Sequence, residues 1–114
     1  MTSIELPLFV HWEKTLSDIL SRTEKFPKRV RFTFSSRIDN LALDILEKIV
    51  EARYAKDKSL ALAQASLSLE KLRVLLRICH EERHLDNRGF EHVARGIDEA
   101  GRMLGGWIRS RKSQ

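Results

Sequence analysis

The residues His80-Glu81-Glu82-Arg83-His84 fit H-E-x-x-H, the pattern in which two histidines one helical turn apart bind zinc and the glutamate acts as general base. Their surroundings argue against that chemistry. The extended form of the pattern requires Gly at position 87 and His at position 90, where this chain has Asn87 and Phe90. The expected helix ends at the motif, leaving little scaffold to hold a peptide, and a histidine at a helix C-terminus has an ordinary role opposite the macrodipole. The match is therefore read as incidental, and neither a metal nor a cofactor is expected. Cys79 lies in an apolar stripe without an activating base, no Gly-rich phosphate loop is present, and no paired carboxylates flank an apolar pocket signal. No catalytic residue is assigned, and the chain is expected not to be an enzyme.

Charge points elsewhere. The formal net charge is +5, and it is unevenly placed. Residues 25–37 hold Lys25, Lys28, Arg29, Arg31 and Arg37 with no acid, and the segment from 102 onward holds Arg102, Arg109, Arg111 and Lys112, again with none. The remainder of the chain is net negative. Basic ends are common on helical proteins, but acid-free clusters also suit a polyanion. The candidate nucleic-acid-binding residues are Lys25, Lys28, Arg29, Arg31, Arg37, Arg109, Arg111 and Lys112. Binding through phosphates would weaken steeply with salt, and few aromatics are expected at the surface to stack single-stranded bases. A second constellation is Arg73 with Arg77, four residues apart and able to reach one partner. Together with Ser66, Glu70, His80 and His84 they occupy one sector beside an apolar stripe, a combination found at protein interfaces. The alternative is pairing along the helix, Arg73 with Glu70 and Arg77 with Glu81.

These residues need elements to hold them. A chain of 114 residues is one domain with a single modest core. Charged residues at 32%, two prolines and 7% aromatics suit an all-α protein. Apolar runs are interrupted too often to span a bilayer, the N-terminus shows no basic apolar leader, and one cysteine allows no internal disulfide; a reducing cytoplasm is expected. The spacing predicts four helices in an antiparallel up-down bundle, with residues from about 110 as a flexible basic tail. The first helix runs from Leu8 to Thr23. The second, capped by Thr33 or Ser35, reaches Tyr54; the third, capped by Asp57 or Ser59, ends near His84; the fourth, capped by Asp86, fades toward Arg109. Phe26 and Phe32 are expected to pin the first connector to the core.

Two helices carry more apolar surface than one bundle face needs. On the second, Phe34, Ile38, Leu41, Ile45 and Ile49 form one stripe, while Leu43, Leu46 and Val50 point away from it. On the third, Leu60, Leu67, Val74 and Ile78 lie on one side, and Leu62, Ala65, Leu69, Leu72 and Leu76 on another. Self-association through helices two and three is expected, at Leu43, Leu46, Val50, Leu69 and Leu76. The fourth helix has a narrow stripe, Phe90, Val93, Ile97, Leu104 and Ile108, yet contains Gly96, Gly101, Gly105 and Gly106. Each glycine costs roughly 1 kcal/mol against alanine in a helix, which implies that something is pressed close.

Arg37-Ile38-Asp39-Asn40-Leu41 running to Glu51-Ala52-Arg53-Tyr54, then Leu69-Glu70-Lys71-Leu72-Arg73 with Leu75-Leu76-Arg77, Glu91-His92-Val93-Ala94-Arg95 and Gly101-Arg102-Met103-Leu104-Gly105-Gly106-Trp107, occur in an order that resembles Avd, the accessory variability determinant of diversity-generating retroelements. The likeness covers roughly residues 24–109, and the Gly-Arg-Met-Leu-Gly-Gly-Trp string is its most specific part. It implies a four-helix bundle assembled as a basic homopentamer. That assembly would bind a reverse transcriptase and its template RNA without catalysing a step itself, with Arg73 and Arg77 as the polymerase-facing pair. A related group, the proteins encoded in intervening sequences of ribosomal RNA genes, shares the bundle. A general nucleic-acid-binding module without a polymerase partner is the alternative.

Overall fold

The computed structural model describes residues 5–112, Lys112 by its backbone alone, and resolves the periodicity into four α-helices. They are α1 Glu5–Thr23, α2 Ser36–Tyr54, α3 Ser59–Glu81 and α4 Asn87–Lys112. No strand occurs among the described residues. No helix is long and apolar enough to cross a membrane. The helices run up and down. His11 and Asp18 of α1 meet Gly96 and His92 of α4, and Trp12 and Thr23 meet Ala42 and Asp39 of α2. His80 of α3 stacks on Phe90 of α4, while Arg73 reaches Asp98 further along. Each pair climbs one helix as it descends the other. Consecutive connections therefore alternate between the two ends of a body 47 Å long.

Apolar residues at three- and four-residue spacing close one core, with Trp12, Ile38, Leu62, Leu72, Val93 and Ile97 shielded almost completely. Trp12 is large enough to need a polar partner when buried, and its indole N–H donates to the Ala42 carbonyl at 2.9 Å.

The two apolar faces of α3 are exchanged relative to the sequence expectation. Leu69 and Leu76 are 4% and 3% exposed and belong to the protomer's own core, with Leu62, Ala65 and Leu72. The other stripe is left to solvent: Leu60 at 67%, Leu67 at 57% and Val74 at 40% exposure. On α2 the expected division holds, with Ile38, Ile45 and Ile49 inside, Leu43 and Val50 outside, and Leu46 half-buried. The inner face of α3 is the broader of its two, adding Ala61 and Cys79, and the broader face gains more from burial against α2 and α4.

Caps set the helix boundaries. Pro7 sits in the first turn of α1, where its missing N–H breaks no helical bond. Neither Thr33 nor Ser35 caps α2. A short 3-10 turn, Lys28–Val30, passes into a π-helical turn, Arg31–Ser35, which runs directly into the helix. The Thr33 hydroxyl donates backward to the Val30 carbonyl instead. Lys58 closes α2 by donating from its ammonium to the carbonyls of Ala52, Arg53 and Ala55 at 2.6, 3.0 and 3.1 Å, satisfying acceptors that a helix end leaves orphaned. Asp57 accepts the Ser59 N–H at 2.9 Å, so Asp57 rather than Ser59 opens α3. Asp86 accepts the Gly89 N–H at 2.7 Å and caps α4 as expected.

The end of α3 comes earlier than the periodicity suggests. Arg83 takes φ 66°, its N–H bonds the His80 carbonyl, and the His84 N–H reaches back to the Cys79 carbonyl. That is a Schellman closure with arginine where glycine usually stands.

Among the glycines of α4, Gly96 lies nearest to another helix of the same protomer. A Cβ on Gly96 would stand 2.8 Å from the Thr15 hydroxyl oxygen of α1, so α1 and α4 could not approach as they do with any other residue there. At Gly101 a Cβ would make ordinary contact, while at Gly105 and Gly106 it would meet only the Arg109 side chain of the same helix.

Candidate nucleic-acid interface

The connector between α1 and α2 exposes its cations because its apolar residues fasten it down. Phe26 and Val30 are buried, and Phe26 packs on the His84 ring with centroids 5.9 Å apart. Before, between and after them, Lys25, Lys28, Arg29, Arg31 and Arg37 are all exposed. None of the five makes an ion pair among the described residues. Desolvated apolar anchors with solvated charges between them give a cationic surface held in place on a helical end.

The C-terminal cluster lies at the opposite end, so the two expected basic groups do not form one patch within a protomer. Arg111 is half-buried and lies 3.8 Å from Asp57 in the α2–α3 turn. Arg109 is exposed, with its guanidinium laid over Gly105 and Gly106. The side chain of Lys112 lies outside the described residues. Nor is the segment from about 110 a free tail as far as Lys112, since α4 includes it.

Arg73 and Arg77 do share a helix side, but they differ in engagement. Arg73 pairs with Glu70 one turn back and with Asp98 of α4 at 3.0 Å, tying α3 to α4. Arg77 is exposed. The expected pairing of Arg73 with Glu70 is present; none joins Arg77 to Glu81 among the described residues.

The H-E-x-x-H geometry is not formed. α3 ends at Glu81 and the left-handed Arg83 throws His84 off the helical face. His80 stacks on Phe90 at 4.3 Å and donates to the Asn87 side-chain oxygen at 2.7 Å, while His84 faces Phe26. Cys79 is buried, and burial pushes its thiol up to about 11, which disfavours the reactive thiolate.

Phe32 overturns a sequence expectation. Rather than pinning the connector, it stands 87% exposed, with Arg31 and Arg37 in the grooves beside it. It forms a wall shared by two grooves. One runs between the π-helical turn, α2 and α3, with Arg37, Asn40, Asp44, Glu70 and Val74 along it. The other runs between the end of α1 and the start of α2, with Glu24, Arg31, Asp39 and Asn40. Asp39 accepts the Thr23 hydroxyl proton at 2.7 Å, and desolvation outweighs that bond to raise its pKa. A five-residue π-helical turn cannot be read from spacing, because its period differs from that of the helix it enters.

Comparison with known proteins places this arrangement in a lineage. The family model described as bAvd-like matches residues 9–111. None of the curated proteins compared with the chain matches it.

Proposed function

The chain belongs to the bAvd-like family, and on that premise we propose that it is the non-catalytic accessory protein of a diversity-generating retroelement. In this reading it is a basic oligomeric scaffold that holds the element's reverse transcriptase and template RNA for mutagenic complementary DNA synthesis. The observation that carries it is the family match along nearly the whole chain. The exposed, uncommitted cations Lys25, Lys28, Arg29, Arg31 and Arg37 support the RNA part. Their affinity would rest on displaced counterions and so fall steeply with salt. Arg109, Arg111 and Lys112 join them only where neighbouring protomers bring opposite ends together. Arg77, with Arg73 behind it, is the cationic point offered to the polymerase.

Assembly as a homopentamer uses the apolar surface that the bundle leaves uncovered. Leu43, Leu46 and Val50 border the α1 side of α2, where Val50 shares a groove with Leu6 and Phe9. Leu60, Leu67 and Val74 lie on the outward face of α3. Two different faces suit the head-to-tail contact that closes a ring. Leu69 and Leu76 leave the interface and join the core. Gly105 and Gly106 meet no other helix of the protomer, and a shift of the Arg109 side chain that lies over them would let a neighbouring backbone come close.

The deciding experiment is co-purification of the protein with a reverse transcriptase encoded beside it, alongside light scattering of the protein alone. Capture of the polymerase by a particle of about five chains is expected, with Leu67→Glu giving folded monomers that lose it. A wild-type protein that scatters as a monomer ends the ring, and RNA binding without polymerase capture favours a general nucleic-acid-binding module.

A further inference from the structure

We infer that Phe32 is a base-stacking platform, and that the α1–α2 connector end therefore selects single-stranded over duplex nucleic acid. The inference deepens the reading of this end as an RNA surface and rests on it. A phenylalanine exposed to 87% loses the burial that normally places it inside. The grooves on either side of it are mixed: Leu41, Val74 and Leu75 stand with Arg37, Asn40, Asp44, Glu70 and Lys71 in one, and Leu20 and Phe26 with Glu24, Arg31, Asp39 and Asn40 in the other. Arg31 and Arg37 share its grooves, Lys28 and Arg29 are exposed in the turn just before it, and none of the four is in an ion pair among the described residues. An aromatic face amid uncommitted cations is the combination that single-strand binders use, phosphates following the charge while a base covers the ring.

The grooves on either side fit the same ligand. Their acids, Glu24 and Asp39 on one side and Asp44 and Glu70 on the other, would repel a phosphate, so the backbone is drawn to Arg31, Arg37 and Lys71 along the grooves. Those carboxylates are acceptors, as is the side-chain oxygen of Asn40, which lines both grooves. The exocyclic amines of adenine, cytosine and guanine are donors. A base on Phe32 thus has acceptors within the flanking grooves and its phosphates on Arg31, Arg37 and Lys71. In a duplex the bases are stacked on one another and their faces cannot reach Phe32; only the phosphate contacts remain.

The test uses the full chain, a fluorescent single-stranded RNA oligonucleotide of mixed sequence, and the same strand annealed to its complement, titrated at fixed salt. Phe32→Ala is expected to weaken single-strand binding about tenfold or more, in keeping with the usual cost of losing one stacked base, and to change duplex binding less than twofold. Phe32→Tyr should restore single-strand binding, and Arg31→Ala should weaken both forms and lower the salt slope. Equal loss on both forms, or no loss on the single strand, overturns the platform while leaving the basic end as an RNA surface. Wild-type protein that binds neither form overturns both readings. A smaller particle for Phe32→Ala by light scattering overturns the inference too, since Phe32 would then contact a second copy of the chain.

Discussion

The two ends of the bundle carry similar charge and use it in opposite ways. Where α2 turns into α3, Lys58 gives its ammonium to three carbonyls, Arg111 approaches Asp57, and the cations serve the protomer's own backbone and turns. Where α1 passes into α2, five cations point to solvent, and the connector is held instead by Phe26 and Val30. The difference lies in what anchors the chain. The turn fastened by polar capping engages Lys58 and Arg111 while Lys56 stays exposed, whereas the turn fastened by apolar burial leaves all five available. A basic cluster in a sequence is thus a surface feature only after its backbone has been secured by something else.

Substitution at both ends would break this contrast if it is wrong. Lys28→Ala, Arg29→Ala and Arg31→Ala combined should leave the urea midpoint nearly unchanged. The slope of log affinity for single-stranded RNA against log salt should shrink by about 2, at about 0.7 for each lost phosphate contact. Lys58→Met should do the reverse, lowering stability by about 1–2 kcal/mol as helix-end carbonyls lose a charged donor while RNA affinity holds. Loss of RNA binding in Lys58→Met, with its fold intact by circular dichroism, would show that the far end is also used.

Arg83 sharpens the contrast from within the connector end. It holds a left-handed conformation that costs a non-glycine residue about 1 kcal/mol. Arg83→Gly should therefore raise stability by about that amount in denaturant titration, although it removes a cation. An RNA affinity as reduced as that of the triple variant would mean that total charge at this end matters, rather than the acid-free cluster.

The smallest effects come from one carboxylate at each end. Asp39 is raised by desolvation, so its unfolded form ionises first and its contribution to stability is lost as pH rises from about 3.8 through its folded pKa. Asp57 is lowered by the Ser59 N–H, so its contribution is present above about 3.8 and lost as pH falls through its folded pKa. Urea midpoints taken from pH 3 to pH 7 should show Asp39→Asn gaining on the wild type and Asp57→Asn falling behind it. Parallel trends for the two variants would contradict the assigned environments.

Much of the fold was legible because helical period and caps are local. Ile38, Ile45 and Ile49 on one stripe, Val93, Ile97 and Leu104 on another, and Asp86 at the start of α4 need only spacing and one side chain to be identified. The faces of α3 were not, since Leu67 and Leu69 are equally apolar and periodicity cannot say which faces a neighbour. Counting would have helped, because the inner face is the broader. Phe32 was misplaced for a related reason: an aromatic in a connector is normally an anchor, and nothing local reveals that Phe26 and Val30 already fill that role.

The sequence by itself determined the helices, their approximate ends, the acid-free cationic segments and the family likeness, all properties of neighbours along the chain. Tertiary structure decided the rest. It placed the two basic clusters at opposite ends, because alternate connections of an up-down bundle must do so. It drew Leu69 and Leu76 inward, because three other helices compete for apolar contact and the face offering more of it wins. It also left Leu67 and Phe32 uncovered, because a chain of this length closes one core and has no further layer to put over them.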